Sequence, residues 1–256
     1  MNQKALELGL TNTHFKTPHG LDSDEHYTTA YELALLSNYA LNNKTFAQIV
    51  GTKEYTITIN GYPKQLSNTN ELLGNLDGVY GIKTGFTNGA NRCLVTACKR
   101  NDIDIICVVL GADTKKFRTQ DSIKLINYIF DNFENVNIEK IINDSFENWK
   151  NKNLNKIIIN KGISDNINLK LENISNATIP IIKDLINSIQ VEINCPLYFE
   201  TPIYQNSQLG SVTVHIPNSE PLNYSIYCTS EIRHKNWNDY LLYFLKNYSY
   251  IINTLF

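Results

Sequence analysis

The chain has 256 residues and a formal net charge of −2, with 42% hydrophobic and 19% charged residues. That length can bury a core without disulfides or metals, and that composition excludes an intrinsically disordered chain. The balanced charge leaves no electrostatic footprint for nucleic acid, and no stretch reaches the roughly 18 apolar residues of a transmembrane span.

In chain order, residues 1–10 read as a short helix already under way and ended by Gly9. This opening has no uninterrupted apolar run of the kind a signal peptide carries. Residues 11–27 are loop-like, with turns marked by Thr11, Asn12, Pro18, Gly20, Asp22 and Ser23. A helix is expected over about 28–42, capped by Thr28 or Thr29, with Leu33, Leu36, Ala40 and Leu41 as its apolar stripe. Tyr55–Ile59 alternates like a strand and runs into Asn60-Gly61, a strong hairpin signal. Gly78–Thr87 is a glycine-rich strand. Cys93–Lys99 and Ile103–Leu110 are apolar strands joined by Arg100-Asn101-Asp102. A helix over about 116–133 follows.

Beyond about residue 137, short alternating runs recur at 156–159, 167–171, 188–193, 211–216 and 223–228, separated by turn residues. That spacing predicts a small all-β domain. From Trp237 to Phe256, apolar residues fall at i, i+3, i+4, an amphipathic helix of roughly 30 Å if fully formed. The pattern alone fits either a core-packing helix or one lying in a membrane interface. The five cysteines, Cys93, Cys98, Cys107, Cys195 and Cys228, are an odd number at irregular spacing, so buried free thiols are expected rather than a disulfide framework.

The segment richest in chemistry is Gly78-Val79-Tyr80-Gly81-Ile82-Lys83-Thr84-Gly85-Phe86-Thr87. A phosphate loop needs glycine directly before Lys-Ser/Thr, and Ile82 interrupts it. The Lys-Thr-Gly box of serine penicillin-recognising enzymes fits instead. A lysine and a hydroxyl on an edge strand can hold a carboxylate by charge-assisted hydrogen bonds, and the glycine admits a substrate backbone. His14, His19 and His26 with Asp22, Asp24 and Glu25 match no standard metal-ligand spacing, so no metal and no cofactor are expected.

Flanking blocks extend the match: Asn12-Thr13-His14-Phe15, Pro18-His19-Gly20-Leu21-Asp22, His26-Tyr27-Thr28-Thr29-Ala30, the Cys93–Arg100 strand, and Gly111-Ala112-Asp113-Thr114 with Arg118. In order and spacing over residues 1–135 the chain resembles the serine-type D-alanyl-D-alanine carboxypeptidases, the low-molecular-weight penicillin-binding proteins of peptidase family S11. Leu209–Val214 resembles that family's C-terminal β-sandwich more weakly. The resemblance implies an α+β fold: part of a penicillin-binding-protein/β-lactamase-like transpeptidase domain over 1–137, a β-sandwich over 138–235, and an amphipathic membrane-anchor helix over 236–256. It implies acyl transfer through a serine, on peptidoglycan stem peptides ending in D-Ala-D-Ala, with β-lactams trapped as acyl-enzymes. Lys83, Thr84 and Gly85 would form the catalytic box. Arg118 would help bind the terminal carboxylate, the Phe86 backbone N–H would serve the oxyanion hole, and His19 would shape the cleft. Arg118 as an ordinary helix charge and His19 as a loop-holding histidine are the structural alternatives.

One departure matters. No serine begins a Ser-x-x-Lys box; Ser230-Glu231-Ile232-Arg233 comes nearest. The one Ser-Asp-Asn, Ser164-Asp165-Asn166, follows Lys83-Thr84-Gly85 instead of preceding it. The chain is therefore expected to correspond to the C-terminal portion of such an enzyme, inactive alone, with apolar faces left open on 103–110 and 116–133. A non-catalytic binding descendant is the competing expectation. The family works at the extracytoplasmic membrane face, whereas the chain as written, without a signal peptide, is expected to stay in the cytoplasm.

Overall fold

Helix formation in the first third follows from local caps. A computed structural model describes residues 1–174 and 178–245 of the chain. α1 (Asn2–Glu7) stops at Gly9, whose φ of 72° only glycine adopts without strain. The loop that follows is closed by a bridge between His14 and Tyr27. α2 (Ala30–Leu41) begins where the Thr29 hydroxyl accepts the Glu32 N–H at 3.2 Å. α3 (Lys44–Val50), which the periodicity did not announce, is capped by Asn43 Oδ1 on the Phe46 N–H at 3.1 Å.

β1 (Glu54–Ile59) and β2 (Tyr62–Ser67) form a hairpin whose turn, Asn60-Gly61, has both φ values positive, as its sequence demands. β3 (Val79–Thr87), β4 (Asn91–Arg100) and β5 (Ile103–Ala112) make an antiparallel sheet in the order β3-β4-β5. The β4–β5 turn, Asn101-Asp102, again has two positive φ values. α4 (Lys115–Asn132) starts from Thr114, whose hydroxyl accepts the Phe117 N–H at 3.1 Å.

The apolar run in β4 is continuous because both faces of this sheet are covered. Leu94 and Cys98 pack with Cys107, Val109 and Ile126, on the α4 side. The alternate residues Val95 and Ala97 pack with Ile82 and Val50, against which Leu33, Leu41 and Phe46 of α2 and α3 lie. This corrects the expected open face on 103–110: Ile103, Cys107 and Val109 are buried, and Leu110 is the large apolar residue there that stays exposed. The expectation holds better for α4, where Phe117, Leu125 and Tyr128 remain exposed.

The chain divides into two compact units, one spanning Met1–Asn135 and a second starting at Val136. β6 (Phe133–Asn137) leads into α5 (Ile138–Asn153), capped by Asn137 Oδ1 on the Lys140 N–H at 2.8 Å. The second unit is thus not all-β. Residues 138–153 form a helix that buries Ile138, Ile142 and Phe146 at i, i+4, i+8, a stripe that the strand-like neighbours had obscured.

The strands that follow are β7 (Ile158–Asn160), β8 (Leu169–Leu171), β9 (Thr178–Ile182), β10 (Gln190–Asn194), β11 (Tyr198–Glu200), β12 (Gln208–His215) and β13 (Leu222–Cys228). Their main sheet has the order β10-β12-β13-β8, and α5 shares its core with Val212, Val214 and Ile226. β7 and β11 pair in parallel.

Residues 237–245 are helical. Asn236 Oδ1 accepts the Asp239 N–H at 3.0 Å and Asp239 Oδ2 accepts the Asn236 N–H at 2.8 Å, a reciprocal N-terminal cap. The apolar side chains over this stretch are exposed, Trp237 most of all. The remainder of the expected helix, 246–256, lies outside the described residues. No helix among the described residues is long and apolar enough to cross a membrane.

Three of the thiols, Cys98, Cys107 and Cys228, are buried; Cys93 and Cys195 are half-buried, and all five are free. Burial pushes Cys107 and Cys195 up to about 11.

Candidate functional site

Lys83, Thr84 and Gly85 lie on β3, an edge strand paired on one side only, opposite Val95, Leu94 and Cys93 of β4. Lys83 is exposed, and its Nζ turns back onto the Thr84 carbonyl oxygen. Among the described residues, a side chain at Gly85 would meet only the Cβ of Cys93, at an ordinary 3.7 Å, so none of them demands glycine there. The contrast is Gly78, where a Cβ would sit 2.3 Å from the Lys99 carbonyl oxygen. The ring of Phe86 lies 3.6 Å from the guanidinium carbon of Arg92.

Beside this edge runs a loop that sequence reading missed, Asn68-Thr69-Asn70-Glu71. Each residue has one task. Asn68 Nδ2 donates to the carbonyls of Val50 and Thr52 at 3.1 and 3.0 Å. Asn70 is buried; its Nδ2 donates to the Gly81 carbonyl at 3.0 Å and its Oδ1 accepts the Leu72 N–H at 3.1 Å. Between them, the Thr69 hydroxyl lies 2.7 Å from the Thr84 hydroxyl. Glu71 reaches α4, accepting from Lys115 Nζ at 2.9 Å, Arg118 Nη2 at 3.1 Å and Thr119 Oγ1 at 2.7 Å. Partial burial pushes the Glu71 carboxyl up, but the Lys115 and Thr119 hydrogen bonds and the charges of Lys115 and Arg118 outweigh it, leaving the pKa below the ordinary value. The available signal was the Asx-rich run Asn68-Thr69-Asn70 directly after a strand.

Arg118, expected on the ligand side of the site, is only 3% exposed and already ion-paired to Glu71. His19 is exposed, and its Nδ1 accepts the Leu21 N–H at 3.2 Å, a local turn contact. No hydrogen bond among the described residues joins it to Lys83 or Thr84. The long-range tie of that loop belongs to Asp22, whose Oδ2 accepts the Gly89 N–H at 3.0 Å across 67 residues. Hydrogen bonds from the Thr87 side chain and the Gly89 backbone hold the Asp22 carboxyl below its usual range. The other end of the loop is pinned by buried Glu32, which accepts the Asn12 N–H at 2.9 Å and the Thr13 hydroxyl.

His14, Glu25 and His26 have separate partners: the ring of His14 bonds the Glu25 carbonyl, Lys16 pairs with the Glu25 carboxylate, and His26 accepts the Lys16 N–H. Among the described residues, no group of three His, Cys, Asp or Glu is placed to hold a metal ion.

Residues 1–114 match the model of the D-alanyl-D-alanine carboxypeptidase family, peptidase S11. The first part of the chain is thus similar to that family. It is 39% identical over 135 residues to the D-alanyl-D-alanine carboxypeptidase DacF of Bacillus subtilis, a match that takes in 52% of this chain and 35% of that one. It is 42% identical over 138 residues to DacC of Escherichia coli, covering 53% and 34% of the two chains. The carboxypeptidase of Streptomyces sp. K15 is 37% identical over 136 residues, 51% of this chain and 47% of that one. The chain thus spans about a third to a half of the length of these relatives.

The mixed α/β fold extends the likeness. Penicillin binding protein 5 of Haemophilus influenzae superposes with a TM-score of 0.62 at 24% identity, over 91% of this chain and 64% of that one. DacD of Francisella tularensis gives 0.59 at 22% identity, over 91% and 67%. Within the matched residues, the Asn68–Glu71 loop is tied to β3 at Gly81 and Thr84, and the Asp22 loop to the β3–β4 turn at Gly89.

Proposed function

We propose that this chain supplies the carboxylate-recognition edge of a D-alanyl-D-alanine carboxypeptidase, with residues 1–137 as part of its catalytic domain. The observation that carries the reading is the Lys83-Thr84-Gly85 edge, with Lys83 and Gly85 exposed, Thr84 half-buried, and a second hydroxyl, Thr69, 2.7 Å from Thr84. The substrate is a peptidoglycan stem peptide ending in D-Ala-D-Ala. Lys83 and Thr84 hold its terminal carboxylate, a strong pairing because both hydrogen bonds involve charge. The Phe86 backbone N–H stabilises the oxyanion, and Arg118 adds positive field through its cluster. In the reaction a serine oxygen bonds the penultimate D-Ala carbonyl, the peptide bond breaks, terminal D-Ala leaves with a proton, and water then cleaves the ester. A β-lactam stops at the ester.

No Ser-x-x-Lys occurs among these 256 residues. The nucleophile is therefore to come from outside them, and the chain by itself is inactive. The same absence favours the second reading, a non-catalytic binder of cell-wall peptides. The β-rich part over 138–235 and the C-terminal segment 236–256 serve to place the site at a membrane surface, on the extracytoplasmic face where the family acts.

The test is direct. The chain is expected to bind N-acetyl-D-Ala-D-Ala, read from amide shifts on β3, with binding lost in Lys83→Ala. It is expected to take no covalent label from fluorescent penicillin. Stoichiometric labelling would overturn the missing-nucleophile reading, and dipeptide binding indifferent to Lys83 would overturn the site.

A further inference from the structure

We infer that Glu71 is a resident counter-carboxylate for Arg118 and Lys115, and that a ligand carboxylate gains this cluster by displacing it. Glu71 thereby sets the carboxylate affinity of the site. The inference deepens the reading above and rests on it only for the identity of the natural ligand.

Four observations carry it. First, Glu71 uses both oxygens as a bound carboxylate ligand would: Oε1 takes Lys115 Nζ at 2.9 Å, and Oε2 takes Arg118 Nη2 at 3.1 Å and Thr119 Oγ1 at 2.7 Å. Second, the guanidinium is left half used. The Arg118 side chain is only 4% exposed, yet its buried Nε has no hydrogen-bond partner among the described residues. A fork with one prong engaged can still accept a better-placed carboxylate, and an unmatched buried donor favours that exchange. Third, exposure is asymmetric. The Glu71 side chain is 38% exposed against 4% for Arg118, so solvent and solute reach the carboxylate while the guanidinium stays behind it. Fourth, only the side chain has to move. The backbone on either side of Glu71 is held by the buried Asn70, whose side chain bonds both Gly81 and Leu72.

The same loop carries the signal to the catalytic edge. Thr69, two residues before Glu71, bonds the Thr84 hydroxyl at 2.7 Å. Two cations and one carboxylate leave the cluster a net single positive charge; neutralising Glu71 leaves two. A unit charge removed from within a few ångströms in a partly hydrated site is worth roughly a five- to tenfold change in anion affinity.

The experiment is an acetate titration of the full chain at constant ionic strength. It follows the Arg118 Nε–Hε and Thr119 amide signals in wild type and in Glu71→Gln. The isosteric glutamine retains an acceptor for Thr119. The expected result is acetate affinity roughly five- to tenfold higher in Glu71→Gln, with the gain abolished when Arg118→Lys is added. Equal affinities in wild type and a folded Glu71→Gln, or a gain that survives Arg118→Lys, would overturn the inference.

If Glu71→Gln does not fold, wild type alone decides. Saturating acetate must shift the Glu71 carboxyl carbon together with Arg118 Nε, and acetate that moves neither refutes displacement. A parallel titration with N-acetyl-D-Ala-D-Ala separates the two readings. Acetate behaving as stated with no dipeptide binding sinks the carboxypeptidase reading and leaves this one. Dipeptide binding at Lys83–Thr84 with acetate indifferent to Glu71 does the reverse.

Discussion

Replacing Asn70 by alanine should unfold the first unit preferentially. The side chain is 2% exposed and bonds two backbone groups that have no access to water as a substitute: the carbonyl of buried Gly81 and the N–H of Leu72, itself 3% exposed. Leaving a buried polar group unpaired costs about 1–3 kcal/mol, and removing the amide recovers part of that because its own desolvation disappears. Two stranded groups therefore give a net loss of about 2–4 kcal/mol. Asn70→Asp should be no better, since the carboxylate still accepts from Leu72 but faces the Gly81 oxygen with no donor at neutral pH. Both tryptophans, Trp149 and Trp237, lie in the second unit, so fluorescence would report the wrong half. Amide hydrogen exchange at Ala97 and Cys98, both fully buried in β4, reads the first unit directly. A loss under about 0.5 kcal/mol in Asn70→Ala, or an Asn70→Asp variant as stable as wild type, would refute the reasoning.

Other outcomes follow from the same geometry. The depressed pKa of Asp22 means that its tie to Gly89 is fully present above the unfolded value of 3.8 and is lost only as pH falls below it. The Gly89 amide shift should therefore be flat from neutral pH down to that value, and a transition near neutrality would count against the contact. Cys107 and Cys195, pushed up to about 11, should resist thiol reagents at neutral pH in the folded chain and react on unfolding. Rapid modification of either in the native state would contradict the burial. Deleting residues 236–256 should abolish co-sedimentation with anionic vesicles, and equal pelleting of both forms would remove the anchor from the proposal.

Features settled by a few neighbouring residues were legible in the sequence. Asn60-Gly61 and Asn101-Asp102 dictate hairpin turns because few residue types tolerate two consecutive positive φ values. Thr29, one of the two expected caps, marks a helix start because its hydroxyl meets a donor three residues on. The Lys83-Thr84-Gly85 box was visible for the same reason: its chemistry is contiguous. α5 was missed because its stripe of Ile138, Ile142 and Phe146 sits among residues that also suit strands, and its burial depends on Val212, Val214 and Ile226 far along the chain.

The site divides the same way. Sequence alone determined which strand carries the lysine and hydroxyl; the family resemblance gave Arg118 a place beside them only as an expectation. Only the tertiary structure decided that Arg118 is buried and held by Glu71, that Thr69 stands against Thr84, and that Asp22 rather than His19 ties its loop to the β3–β4 turn. These partners are 47, 15 and 67 residues apart. No local period or cap encodes such a meeting; packing both faces of the β3-β4-β5 sheet brings them together.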